Sequence, residues 1–164
     1  MRLHTVLPTP IGGLGVGVAS GKVTEVSFGV TLEAPSTDLD PVLRAALDEL
    51  AEYFSGARTE FTVPTTFTRG SDFERAVWGE IASIPYGQTR TYGSIAHAVG
   101  EPLGAQAVGS ACNRNPLPVI VPCHRVVGAN GKLVGFGGGL PRKRFLLELE
   151  ARVWIERAFT EGYA

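Results

Sequence analysis

The stretch Asn115–Gly139 reads NPLPVIVPCHRVVGANGKLVGFGGG, and the rest of the chain is arranged around it. It opens with an apolar run, Leu117–Val121, interrupted by Pro118 and framed by Pro116 and Pro122. Such a run of β-branched residues predicts a short buried strand or extended segment. Pro122 removes a backbone donor and holds the residue before it extended. Cys123 is therefore expected where regular structure stops, on a fixed backbone, with His124 and Arg125 directly behind it. The tail, Gly128–Gly139, is rich in glycine and can bend close to a ligand. A fixed thiol facing such a backbone wall suits a covalent site for a planar ligand.

Composition narrows the setting. A chain of 164 residues makes one domain or two small ones, and an apolar fraction of 44% is ordinary for a globular protein. No apolar run approaches the roughly 18 residues expected of a membrane span. The N-terminal MRLHTVLPTPIGG has no continuous apolar core, so no secretory signal is expected. Two cysteines build no disulfide framework, and a reducing cytoplasmic setting with free thiols is the expectation. The formal charge of −1 conceals an asymmetry: residues 1–66 hold 4 basic and 8 acidic side chains, residues 101–150 hold 6 and 3. A polyanionic partner, if there is one, meets the second half.

Towards the N-terminus, residues 3–30 alternate apolar and polar positions, and Ser20-Gly21-Lys22 reads as a hairpin turn in a small antiparallel sheet. A polar linker, Thr31–Asp40 with Pro35, leads to a helix capped by Asp38 or Asp40, with Pro41 in its first turn and Gly56 at its end. Phe61-Thr62-Val63 is expected to be a further short strand. Nothing in residues 1–66 looks catalytic, and His4 is read as structural or solvent-facing.

Residues 67–71 read as a linker into a second domain, 72–150, with 151–164 as a C-terminal extension. Ser71 or Asp72 caps a helix over Phe73–Ser83. Two short helices follow, Thr91–Val99 and Ala105–Arg114, across the turn Pro102-Leu103-Gly104. This is the helix-turn-helix plan, whose second helix reads a groove, although many helical corners look the same. His97 is expected on the helix surface, and Cys112 as a small packing residue. A last helix opens at Pro141-Arg142-Lys143-Arg144 and closes near Glu150; beyond it the chain continues amphipathically and frays at Gly162.

A thiol attacks as its thiolate, and a neighbouring base or cation lowers its pKa. His124 is adjacent in sequence but need not touch the sulfur, since a water can bridge them. Glu150, at a helix end, is a candidate for orienting the ring. Read alone, Cys123-His124 also fits a buried structural cysteine beside a surface histidine.

The full string is more specific. Pro122-Cys123-His124-Arg125-Val126, preceded by Asn115-Pro116 and followed by Gly138-Gly139, resembles the O6-alkylguanine-DNA alkyltransferases, the methylated-DNA–protein-cysteine methyltransferases. The resemblance covers Phe73–Glu150. It extends to the N-terminal region, whose sheet-plus-helix pattern is compatible with that family's ribonuclease-H-like N-terminal domain. The implied fold is thus a small α/β domain followed by a mainly α, winged-helix-like domain with the helix-turn-helix.

The same resemblance assigns roles. Cys123 looks like the alkyl acceptor, His124 like the base acting through a water, and Glu150 like the carboxylate that orients it. Tyr92 looks like the tyrosine that clashes with the target phosphate and protonates the departing guanine at N3. Asn115 is similar to the hinge asparagine. Val126, Phe136, Gly137 and Gly138 line the implied base pocket. The implied activity is single-use transfer of an alkyl group from O6 of guanine, with O4 of thymine as an extension, after nucleotide flipping. No metal or cofactor is implied. The partner is double-stranded DNA carrying O6-alkylguanine, bound by a monomer, with cooperativity left open.

The reading helix would offer Ala105, Gln106, Ala107, Gly109 and Ser110, small residues that carry little base-edge code, with Arg114 and Arg125 reaching phosphates. Two positions depart from the family. Gln106 stands where an arginine usually fills the gap left by the flipped nucleotide, and Phe136 stands where a tyrosine is common. A non-catalytic lesion sensor and a Cys-His-Glu hydrolase are the other readings. Cys123 argues against the first, and the hydrolase would turn over.

Overall fold

Alternation and turn chemistry near the N-terminus build three strands, β1 (Arg2–Thr9), β2 (Gly12–Ala19) and β3 (Lys22–Phe28), in one antiparallel sheet of order β1-β2-β3. The structure is a computed structural model and describes residues 2–31 and 40–161. Ser20 and Gly21 both take positive φ, 51° and 74°, which matches a tight two-residue hairpin to the strand twist. Helix α1 (Pro41–Ser55) covers the sheet and packs Leu43, Ala46, Leu50 and Tyr53 with Leu14, Val16, Val18, Val23 and Val26 into one core. Asp40 accepts from the Val42 amide, and Gly56 ends the helix at φ 82°. Asp38, the other expected cap, and most of the expected linker lie outside the described residues.

The strand expected at Phe61–Val63 does not form. Glu49, buried on α1, accepts the backbone N–H of Thr62 at 2.8 Å and of Val63 at 3.2 Å. Those donors are unavailable to a ladder, and the chain makes only an isolated bridge from Thr65 to Val23.

The second unit is mainly helical. Helix α2 (Asp72–Ala82) starts in a capping box, Ser71 with Glu74, that satisfies two orphan amides reciprocally. The two-residue strand β4 (Arg90–Thr91) leads into α3 (Tyr92–Ala98), capped by the Thr91 hydroxyl, and then into α4 (Ala105–Asn113). Strand β5 (Val126–Val127) pairs with β4 in parallel. Trp78 of α2 is 1% exposed and donates its indole N–H to Ala111 O at 2.8 Å, which pins α4. Val77, Ile81, Ile95 and Val108 fill the core, with Leu146 and Leu149 of the last helix, α5 (Leu140–Glu161).

The expected boundaries shift in two places. Pro116–Pro118 groups with the first unit, which otherwise runs to Arg69, while Gly70–Asn115 and the chain from Val119 form the second. The reason is local: Pro116 O accepts the Val26 amide of an edge strand at 2.9 Å, and Leu117 is fully buried. The expected helix end near Glu150 is also absent. Residues 151–161 hold neither glycine nor proline, so α5 continues through them. Val153 is buried there, while Trp154, Ile155 and Phe159 face solvent.

Candidate active site

The segment leading to Cys123 is held under strain. Val119, buried at 1%, sits at φ 73°, a conformation that β-branched residues avoid at a cost of about 1–3 kcal/mol. The apolar run therefore reverses at Val119–Ile120 instead of forming a strand. Asn115 fastens the residues beyond the reversal: its side-chain amide donates to Val121 O at 2.9 Å and to Cys123 Sγ at 3.1 Å. Cys123, His124 and Arg125 form one 3-10 turn, and all three side chains are buried.

His124 and Glu150 meet as expected. Nε2 lies 2.6 Å from Glu150 Oε2, in a pair with side-chain exposures of 0% and 1%. With Nε2 committed to the carboxylate, Nδ1 is the nitrogen through which the ring can take a proton. Burial holds His124 below its ordinary value, and the Glu150 charge offsets this only in part. Burial works against the Glu150 charge as well, yet the bonds from His124 and Arg125 outweigh it and hold the carboxyl well below the usual range.

Arg125 corrects the sequence reading. Expected on phosphates, it is buried at 6% exposure, with Nε 2.8 Å from Glu150 Oε1 and Nη2 3.0 Å from Oε2. Nη1 donates to Ile84 O at 2.7 Å, and the guanidinium lies over the Tyr86 ring. All of its donor edge points inward. The Gly87 amide adds a further bond to Glu150 Oε1 at 3.1 Å. The carboxylate that orients His124 is therefore itself clamped from three sides.

Lys143 was missed. Read as part of a basic helix start, it is fully buried, and its ammonium donates to Val126 O at 2.6 Å, Val134 O at 3.0 Å and the Tyr92 hydroxyl at 3.1 Å. One signal could have found it: Lys143, Leu146 and Glu150 fall at i, i+3 and i+7, one face of a helix. Tyr92 in turn donates to Val134 O at 2.9 Å, and burial, with the two cysteines, pushes its hydroxyl up to about 12. It keeps its proton at neutral pH and can act as a donor.

Cys112 is more than packing. Its thiol and that of Cys123 are hydrogen-bonded to each other, within reach of the Lys143 charge. Burial pushes Cys123 well up, the neighbouring sulfur adds to this, and the Asn115 amide and Lys143 pull it back only in part. Cys112 is lowered, chiefly by the bond from Cys123.

The other expected residues divide by position. On α4, Gln106, Ala107 and Ser110 are exposed, while Ala105 and Gly109 are half-buried above a core of Val108 and Ala111. Arg114 is exposed and pairs with Glu74 at 3.2 Å. Val126 is buried, and its carbonyl already accepts from Lys143. Phe136 is half-buried, and Gly137 lies against the Asn113 backbone, where an added Cβ would come within 3.3 Å of a carbonyl oxygen. Gly138 O accepts from Arg142 at 3.1 Å. His97 and His4 are exposed.

Known proteins are similar to this chain in sequence and fold. A family model described as 6-O-methylguanine DNA methyltransferase, DNA binding domain, matches residues 72–152. The methylated-DNA–protein-cysteine methyltransferase of Mycobacterium tuberculosis is 45% identical over 151 residues, across 90% of this chain and 91% of its own. That of Methanosarcina acetivorans is 47% identical across 90% of this chain and 97% of its own. The crystal structure of Mycobacterium tuberculosis OGT in complex with DNA gives a TM-score of 0.82 at 44% identity, covering 92% of this chain and 93% of that one. The chain belongs to the methylated-DNA–protein-cysteine methyltransferase family.

Proposed function

We propose that this chain repairs alkylated DNA by direct reversal, moving an alkyl group from O6 of guanine in double-stranded DNA to Cys123, once per molecule and irreversibly. The observation that carries the reading is the buried Cys123, His124 and Glu150 arrangement on a helix-turn-helix unit in a member of this family.

O6 of a paired guanine is out of reach of a fixed thiol, so the nucleotide is first extruded, at a cost of a few kcal/mol. The small exposed residues of α4 let the helix approach the duplex closely, and Arg114 adds a charge beside it. Cys123 Sγ then attacks the alkyl carbon, forming the S–C bond as the C–O6 bond breaks. The thiol proton passes through a water to His124 Nδ1, with Glu150 stabilising the imidazolium, and Tyr92 gives a proton to the guanine at N3. Burial favours a neutral thiol and a neutral ring in the DNA-free protein, so the proton moves as substrate arrives. The thioether is stable and the protein is spent.

Finer assignments go with this reading. The three-stranded sheet with α1 supports a ribonuclease-H-like plan for the first unit, and α3–α4 with β4–β5 a winged-helix-like plan for the second. The setting we assign is the cytoplasm, with the chain a monomer that joins the nucleoid when on DNA. Among the described residues no helix is long and apolar enough to cross a membrane.

The test is intact-mass analysis after mixing with duplex DNA containing O6-methylguanine. One methyl is expected, on Cys123 and not on Cys112. Methyl on Cys112, or more than one lesion repaired per molecule, overturns the assignment.

A second measurement addresses Gln106, exposed in the first turn of α4. Glutamine can offer one donor and one acceptor to a base edge but no ionic attraction. Gln106→Arg is expected to bind duplex more tightly and to lose affinity more steeply with salt, by about one further counterion. Free O6-benzylguanine needs no flipping, so its rate should match in both proteins. Unchanged or slower duplex repair in the variant would show that another residue fills the gap.

A further inference from the structure

The reaction above uses one sulfur, yet the protein's two cysteines meet at the site. Cys112 lies in the last turn of α4 and Cys123 in the 3-10 turn. Asn115 ties them together: its backbone N–H donates to Cys112 O at 3.3 Å, and its side-chain amide donates to Cys123 Sγ at 3.1 Å. The two thiols act on each other directly, and both lie within reach of the Lys143 charge. Their exposure differs: Cys123 is 2% exposed, whereas Cys112 is only half-buried.

We propose that Cys112 and Cys123 form a dithiol–disulfide pair, in which a hydroperoxide oxidises Cys112 first and Cys123 then closes the link, switching the alkyl acceptor off reversibly. In the first step the Cys112 thiolate attacks the O–O bond. An S–O bond forms, the O–O bond breaks, and sulfur is oxidised to the sulfenic acid as the second oxygen leaves as hydroxide. In the second step Cys123 attacks that sulfur. The S–S bond forms, the S–O bond breaks, and hydroxide leaves and takes up the thiol proton as water. A dithiol reductant returns two electrons and two protons by exchange.

The order follows from access and acidity. The thiolate is the reacting species, and the more exposed sulfur is also the one whose pKa is lowered. The outcome suits a protein with a single-use nucleophile. A sulfenic acid on Cys123 with no partner goes on to sulfinic and sulfonic acids, which reductants do not reverse, whereas a disulfide does reverse. Reduced thiols are the resting form in a reducing compartment, so the link belongs to oxidative stress.

The experiment exposes the full chain to hydrogen peroxide, blocks remaining thiols with N-ethylmaleimide, and reads intact mass and a non-reducing peptide map. Alkyl transfer is assayed before and after dithiothreitol. The expected result is loss of two hydrogens, a peptide pair linking Cys112 to Cys123, no maleimide added, and transfer that is lost and then restored. In Cys112→Ser the same treatment should leave oxygens on Cys123 and a loss of transfer that dithiothreitol does not restore. Oxygens on Cys123 of the wild type without the link, a link between two molecules, or equal recovery in Cys112→Ser would overturn the proposal. The wild-type mass and map need neither a variant that folds nor the acceptor role of Cys123, on which only the transfer assay rests. A failed link and a failed alkyltransferase reading are therefore told apart.

Discussion

Glu150→Gln is expected to slow alkyl transfer roughly a hundred- to ten-thousandfold, the usual contribution of a positioned general base, while leaving duplex affinity nearly unchanged. The carboxylate lies 2.6 Å from His124 Nε2 and is buried, so it interacts with the ring rather than with DNA. An amide cannot stabilise the imidazolium that forms when His124 takes the thiol proton. The structure adds a cost that the sequence did not suggest. Arg125 would keep its charge in the interior beside a neutral amide, and breaking a buried ion pair from one side costs about 3–5 kcal/mol. Stability and rate must therefore be read separately, by urea melts and by single-turnover kinetics where the variant is folded. A double variant, Glu150→Gln with Arg125→Leu, should regain part of the stability and none of the rate. Equal loss of transfer and DNA binding in Glu150→Gln would show that the carboxylate is only structural.

The same residue sets a pH dependence. Its folded carboxyl is held well below the ordinary value of 4.5, so its stabilising contribution is complete above that value and is lost as pH falls beneath it. His124 is held below its ordinary 6.5, so the unfolded chain takes up a proton before the folded one does. Stability should therefore begin to fall as pH drops through that value, and fall further below pH 4.5. In Glu150→Gln the lower part of this acid limb should flatten.

What was legible in the sequence was local chemistry. Ser20-Gly21 turns a hairpin, Asp40 and Ser71 cap helices, and Gly56 ends one, because each acts on backbone within a few residues. Cys123, His124 and Glu150 came from a string specific enough to name a family. The misreadings share a different cause. Phe61–Val63 has strand composition, but a glutamate 14 residues earlier takes its donors. Arg125 looks like a phosphate ligand until the carboxylate 25 residues later claims it. The Cys112 thiol reads as packing because the side chains that act on it come from the 3-10 turn and α5. In each case a side chain's type shows that it needs a partner, and only the fold shows which.

Lys143→Met tests the residue whose placement was least legible. The ammonium donates to Val126 O, Val134 O and Tyr92 Oη, and its charge reaches both sulfurs. Methionine keeps the length and volume of the stem but offers no donor and no charge. Val134 O keeps the Tyr92 hydroxyl as a donor, so the cost falls on the buried Val126 O, about 1–3 kcal/mol, offset in part because the buried ammonium no longer has to be desolvated. The net loss of stability should be modest. The effect on the thiol should be large, since burial already pushes Cys123 up and Lys143 is one of two groups pulling it back. The expected result is slower transfer at neutral pH, partly recovered as the pH is raised, with iodoacetamide alkylation of Cys123 shifted to higher pH. The loss should be as severe on free O6-benzylguanine as on duplex, because it arises at the sulfur and at the Val134–Gly135 backbone that faces Tyr92, not at the α4 surface. Duplex affinity should hold, since the ammonium is buried. A thiol that titrates where the wild type does, with transfer unchanged, would reduce Lys143 to a space-filling residue and leave Asn115 alone to activate the acceptor.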